Sequence, residues 1–341
     1  MKVLILGGTG VISREIVRAC LNKGFEITLF NRGNRQTAFA DRVGQIFGDR
    51  KDAEDFKKKM ADVQVDVVID MISFDDADAR QTIEVLKDKT GQFIFTSSIA
   101  AYKRPYASLP IREEAERLCE DPAFPYAYLK AQMERELRRQ MADPSVPPIT
   151  IIRPSLTFGV GCANLGVMRQ NSNIVHRMRA GKPLVMLGEG CAAWSFTFTP
   201  ALARGFAALC GNEKAYNTDF HITNTELVMW EDLYNVVGKI IGCEPKFAYL
   251  PTDAMKEADF SLFAHFYYEK KYASIFSNEK MFAAAPDWKP ELSLEDGMRS
   301  IVDWWEKEGM PYDAGKDARE DALCDVYARF KADLIRACAQ A

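Results

Sequence analysis

"LILGGTGVIS", residues 4–13, leaves an apolar run, turns on three glycines and enters a helical pattern, and its reading decides the fold. Gly7, Gly8 and Gly10 follow the strand-like "LIL" directly, and Ile12, Ile16, Val17 and Cys20 then recur at helical spacing. In a strand, turn, helix setting the glycines permit a tight turn and close approach of a ligand to the backbone. The start of the helix offers N–H groups and the positive end of its dipole to a pyrophosphate. Gly7, Thr9, Gly10, Val11 and Ile12 are therefore expected to hold a dinucleotide. Ser13 stands where such loops carry a third glycine, and is small enough to keep helix and strand close.

Outward from this loop the first 155 residues alternate short apolar runs with amphipathic stretches: "KVLIL", "EITLFN", "VGQIFGD", "DVVIDMI", "QFIFTSS" and "ITIIRPS" are separated by helical patterns. Fully apolar strands alternating with helices predict a parallel sheet covered on both faces, an α/β, doubly wound (Rossmann) architecture. Residues 1–156, with about 192–224, are expected to form this domain, and about 157–191 and 225–312 a smaller C-terminal α/β substrate lobe. Residues 313–341 carry Leu323, Val326, Tyr327, Phe330 and Leu334 on one helical face, which predicts an amphipathic helix packing on the body of the protein or on a partner, core cover being the plain expectation.

Composition excludes several classes. A net charge of -4 provides no field for general nucleic-acid binding. Eight cysteines without a CxxC pair, and three histidines without paired spacing, argue against a disulfide framework or a metal site. Only four apolar residues precede Gly7, so neither a signal peptide nor a membrane span is expected at the start, and a soluble, cytoplasmic protein is.

In a doubly wound sheet, ligands lie at the carboxyl ends of the strands. The second run ends in Asn31 rather than the acidic residue that binds a 2'-hydroxyl, and Arg32 and Arg35 follow, so NADP(H) is favoured over NAD(H). Asp49 and its neighbour Arg50, after the third run, are expected near the adenine. Met71, Ser97 and Pro154, at the ends of the fourth, fifth and sixth runs, complete the expected cofactor contacts. Pro125 is a good helix start, and Tyr126 and Lys130, four apart, share one helical face. An ammonium there lowers the phenol from its usual range near 10 toward neutrality.

The glycine loop, the Ser at the end of the fifth run and the "YAYLK" helix, in that order, resemble the extended short-chain dehydrogenase/reductases, the NAD(P)-dependent sugar epimerases and dehydratases. "IIRPSLTFGVG" and "APDWKPELSLEDGMRSIVDWW" resemble later segments of the same family, so the likeness runs over roughly residues 1 to 307. It implies that Tyr126 is the general acid/base, that Lys130 lowers its pKa and binds the ribose, and that Ser98 is the third catalytic group. It also implies a homodimer through helices near 78–88 and 126–140.

Two departures bear on the reaction. Family dehydratases place an Asp-Glu pair after the hydroxyl residue, where this chain has Ile99 and Ala100, so that elimination is disfavoured. Trp194 stands where sugar-nucleotide enzymes grip the substrate pyrophosphate with an arginine, and is expected either to stack on substrate or to pack. The expected activity is hydride transfer at a secondary alcohol or ketone of a sugar-like or other hydroxylated small molecule. An epimerase that retains NAD, and a non-catalytic dinucleotide sensor or RNA-binding relative, are the alternatives.

Overall fold

The computed structural model describes residues 1–162, 165–290 and 292–340. The chain divides into two compact units: Met1–Thr157, Thr197–Thr225 and Phe276–Glu291 form the first, and Phe158–Phe196, Glu226–Ile275 and Leu292–Ala341 the second. Phe276–Glu291 thus leaves the lobe to which the sequence assigns it. The reason is apolar: Met281, Ala284, Ala285 and Trp288 join the cluster of Ile16, Phe206 and Ile222, and the Trp288 indole donates to Ala201 O at 2.9 Å.

The first unit runs β1 (Lys2–Leu6), α1 (Val11–Asn22), β2 (Glu26–Asn31), β3 (Gly44–Phe47), α2 (Ala53–Lys59), β4 (Val67–Asp70), α3 (Asp76–Leu86), β5 (Gln92–Thr96), α4 (Pro125–Met141) and β6 (Ile149–Pro154). It continues with α5 (Thr199–Leu209) and β7 (Thr218–Ile222) and closes with the short helix Glu279–Ala284. Seven parallel strands lie in the order β7-β6-β5-β4-β1-β2-β3, which reverses at β1. Val3 and Ile5 of β1 face Ile16, Val17 and Phe206, while Leu4 and Leu6 face Ile83, Phe93 and Leu137. Both faces are therefore dry, and the strands can be apolar throughout, as the sequence predicts. Register pairs Leu6 with Phe30 and with Asp70, Asp70 with Phe95, and Thr96 with Ile152. One carboxyl edge results, and the strand order reverses beside the glycine loop, where open sheets of this type bind ligands.

In the second unit the parallel strands Leu184–Leu187 and Phe247–Leu250 accompany the helices Asn173–Arg179, Trp230–Ile241, Leu294–Lys307 and Ala314–Ala339. The last helix corrects the expectation of core cover for most of its apolar stripe, of which Leu323 and Tyr327 are half-buried, with Tyr327 edge-on to Tyr249. Val326, Phe330 and Leu334 are 47%, 58% and 51% exposed, whereas Asp317, Glu320 and Cys324 are buried. Arg177, wholly buried, draws that charged face inward: its Nη1 lies 2.7 Å from Asp317 and 2.9 Å from Asp321, and Glu320 accepts from Val185 N–H at 2.8 Å. A buried guanidinium needs carboxylates, and they anchor only the first turns of the helix. No helix among the described residues is long and apolar enough to cross a membrane.

Candidate active site

The glycines at the end of β1 are steric necessities. Gly7 has φ +85° and donates to Phe30 O at 2.8 Å, and a Cβ there would come within 2.3 Å of Ile72 Cγ2. A Cβ at Gly8 would come within 2.5 Å of Leu29 Cδ2. Gly10 is the N-cap of α1, and Ser13 Oγ accepts its N–H at 2.9 Å, so the serine in the third-glycine position closes the first turn. Thr9, Val11 and Ile12 are half-buried around this turn. No acidic residue occupies the first turn of α1, and its N–H groups have no carboxylate beside them to compete with an anion.

At the end of β2 Asn31 is buried. Its Oδ1 accepts from Gly33 N–H at 2.9 Å, while its Nδ2 is buried without a hydrogen-bond partner. An orphaned amide at this edge of the sheet suits a ligand hydroxyl or phosphate oxygen. Arg32 and Arg35 are exposed just beyond it, and Asp49 is exposed in a turn, where it accepts from Lys51 N–H. The cradle that a Cβ would fill, the unopposed helix start and the unsatisfied amide together fit a pyrophosphate-bridged dinucleotide.

Three expected site residues are placed otherwise. Arg50 turns inward and is 4% exposed: it meets Asp70 at 3.2 Å, Ser73 Oγ at 3.1 Å and Asp78 O at 2.6 Å, so its guanidinium is not offered to a cofactor. The Ser97 hydroxyl also points inward and donates to Glu134 at 2.5 Å. Trp194 is 1% exposed. Its indole donates to Lys270 O at 3.2 Å and its ring meets Trp230 with centroids 5.4 Å apart, leaving no face on which a substrate could stack. In each case a buried polar group took the nearest partner inside the fold.

Ser98, in extended backbone past β5, accepts Ala100 N–H at 3.1 Å and caps the short turn Ile99–Ala101. Lys130 on α4 is buried. Its ammonium donates to Ser73 O at 2.7 Å and Thr96 O at 3.0 Å, which fixes it at the carboxyl ends of β4 and β5. Burial lowers its pKa to about 8, while the carboxylates of Asp70, Glu134 and Asp78 oppose that shift. Two bonds from an ammonium with three N–H groups leave one for a ribose hydroxyl or a phenolate. Tyr126, one turn earlier and 39% exposed, stands edge-on to Phe74 with centroids 5.8 Å apart, and Lys130 Nζ lies 5.2 Å from that same ring. Phe74 therefore touches both members of the pair. Met71 Sδ accepts from Thr96 Oγ1 at 2.9 Å, and Pro154 closes β6 opposite Ile222.

Glu134, one turn past Lys130, is fully buried and pairs with Arg153 of β6 at 2.5 Å, pinning α4 to the sheet. Sequence reading passed over Phe74, Ser73 and Glu134. The available signals were an aspartate ending an otherwise apolar strand, and a glutamate continuing the four-residue spacing of Tyr126 and Lys130.

Fold and edge together define a dinucleotide-binding α/β protein of the short-chain dehydrogenase type. The chain belongs to the NAD dependent epimerase/dehydratase family, whose model matches residues 3–222. It is 28% identical over 317 residues to the chloroplast stem-loop binding protein of 41 kDa b of Arabidopsis thaliana, covering 87% of this chain and 77% of that protein. It is 23% identical over 242 residues to the 2'-dehydrokanamycin reductase of Streptomyces kanamyceticus, covering 71% and 67%. Among solved structures, UDP-glucuronic acid 4-epimerase of Bacillus cereus in complex with NAD has the same fold. The TM-score is 0.71 at 21% identity, over 92% of this chain and 99% of that one.

Proposed function

We propose that this chain is an oxidoreductase that moves hydride between NADP(H) and a secondary alcohol or ketone of a sugar-like or other hydroxylated small molecule. The observation that carries the reading is Lys130, a buried ammonium held by Ser73 O and Thr96 O one helical turn from Tyr126. The nicotinamide, when bound, supplies or accepts the hydride. Tyr126 gives its phenolic proton to the substrate oxygen during reduction and takes it back during oxidation, and Lys130 stabilises the phenolate. Ser98 orients the substrate oxygen by hydrogen bond. The orphaned Asn31 amide and the exposed Arg32 and Arg35 favour a 2'-phosphate over a bare ribose. Ile99 and Ala100, both buried, leave no carboxylate for an elimination.

The test is to purify the protein without added nucleotide, identify what denaturation releases, and titrate the empty fraction with NADPH and NADH. Tighter NADPH binding supports a reductase or dehydrogenase that exchanges its cofactor. Retained NAD+ near one per chain instead supports an epimerase and removes the argument from Arg32. We further propose a homodimer through α3 and α4, which light scattering of a monomer would overturn.

The stem-loop binding relative favours a second reading, in which the chain binds RNA. Its net charge of -4 opposes broad phosphate binding. Submicromolar binding of a stem-loop RNA at physiological salt, undiminished by NADPH, would select this reading; no shift at that salt would reject it.

A further inference from the structure

The segment joining β4 to α3, residues 70–78, brings two groups to the Tyr126 and Lys130 pair: the Ser73 carbonyl on the ammonium and the Phe74 ring against both side chains. Phe74 is 51% exposed, so packing alone does not hold it. Its backbone, however, is fixed on both sides. Asp70, 1% exposed, accepts from Ile72 N–H at 2.9 Å, Ser73 N–H at 2.8 Å, Ser73 Oγ at 2.6 Å and Thr82 Oγ1 at 2.7 Å. Asp78 accepts Phe74 N–H at 2.9 Å. Arg50 links the two residues, with Nη1 on the Asp70 carboxylate and on Ser73 Oγ, Nη2 on the Asp78 backbone carbonyl and on Thr82 Oγ1 at 3.0 Å, and Nε 3.8 Å from the Asp78 carboxylate. Three successive residues, Ile72 to Phe74, thus have their N–H groups held by one buried knot of charge, and the two groups that reach the site lie within them.

We propose that Phe74 is a positioning residue for Tyr126 and Lys130, and that the buried Arg50–Asp70 pair holds it in place. The edge-on ring restricts the rotamers of a half-exposed phenol and directs its hydroxyl. The same ring shields one side of the ammonium while Ser73 O anchors it. Arg50 thereby acts on the site from behind the sheet edge, through the loop. This rests on the proposed roles of Tyr126 and Lys130, yet its geometric content can be tested without turnover.

The experiment uses the full chain with 3-fluorotyrosine in place of tyrosine. The fluorine line of Tyr126 is assigned by its loss in Tyr126→Phe, and the lines of Tyr102, Tyr106 and Tyr128 report whether the first unit is folded. Phe74→Leu is expected to move the Tyr126 line by more than its own width. Phe74→Trp, which keeps an aromatic ring and adds no fluorine, is expected to return it. Arg50→Lys, and the milder Ser73→Ala, are expected to move the Tyr126 line while the other three stay in place. A Tyr126 line unmoved in Phe74→Leu overturns the proposal. A line that moves in Phe74→Leu but in neither Arg50→Lys nor Ser73→Ala overturns the role of the knot. The oxidoreductase reading fails on different results, those of cofactor release and titration, which do not depend on where this line falls.

Discussion

Lys130→Met should remove a specific part of the pH dependence of stability. In the folded protein burial lowers the Lys130 pKa to about 8 from an ordinary 10.5. Between those values the unfolded chain binds more protons at this position than the folded one, so unfolding free energy rises with pH through that window. The penalty is fully present below pH 8 and is relieved as pH approaches 10.5. At about 1.4 kcal/mol per pH unit, the wild-type protein should gain about 3 kcal/mol on this account. Methionine has similar length and no titration, and should gain nothing there. Urea midpoints of both proteins, followed by circular dichroism from pH 7 to 10.5, give a difference curve in which shared groups cancel. Lys270, buried in the second unit with its pKa lowered to about 7, is one such group. A difference that stays flat across the window would refute the reading of Lys130 as a desolvated ammonium, and with it the electrostatic basis for activating Tyr126.

Gly7→Ala should abolish NADPH binding and destabilise by about 2–4 kcal/mol, adding left-handed backbone strain to the overlap with Ile72. Gly7→Ala combined with Ile72→Ala should recover only the overlap part, which urea unfolding would read. Arg153→Met should cost about 3–5 kcal/mol, because it leaves the buried Glu134 carboxylate without a cation, while Asp219 keeps Arg138 and Lys280, and a loss under about 1 kcal/mol in the same assay would contradict that ion pairing. Trp194→Phe should lower stability by about 0.5–1.5 kcal/mol through the lost Lys270 O bond, since the Trp230 indole still donates to that carbonyl, while leaving NADPH affinity unchanged in a fluorescence titration. Replacing Val326, Phe330 and Leu334 by serine should each change stability by less than about 0.5 kcal/mol, whereas Arg177→Met should release the terminal helix and raise its amide exchange.

Wherever the information is local, the sequence determines this protein by itself. An apolar run followed by glycines and a helical pattern specifies the turn of β1 into α1, because the positive φ at Gly7 is a local demand of the turn, although the side chains that crowd Gly7 and Gly8, those of Ile72 and Leu29, come from elsewhere in the sheet. Fully apolar strands specify a sheet covered on both faces, and the spacing of Tyr126 and Lys130 follows from helix geometry alone. Only the tertiary structure decided the destinations of long polar and aromatic side chains. Arg50 follows Asp49 into a loop and reads as a cofactor ligand, yet its partners lie 20 to 32 residues away on β4 and α3. Trp194 reads equally as a substrate platform or a packing residue, and the structure makes it the latter, with Lys270 O, 76 residues on, taking its N–H inside the second unit. The terminal helix shows an apolar stripe in its sequence and buries its charged face, because Arg177 lies 140 residues before its partner Asp317. A buried charge or N–H must find a partner wherever the fold supplies one. Periodicity within a segment carries no record of which distant group that will be.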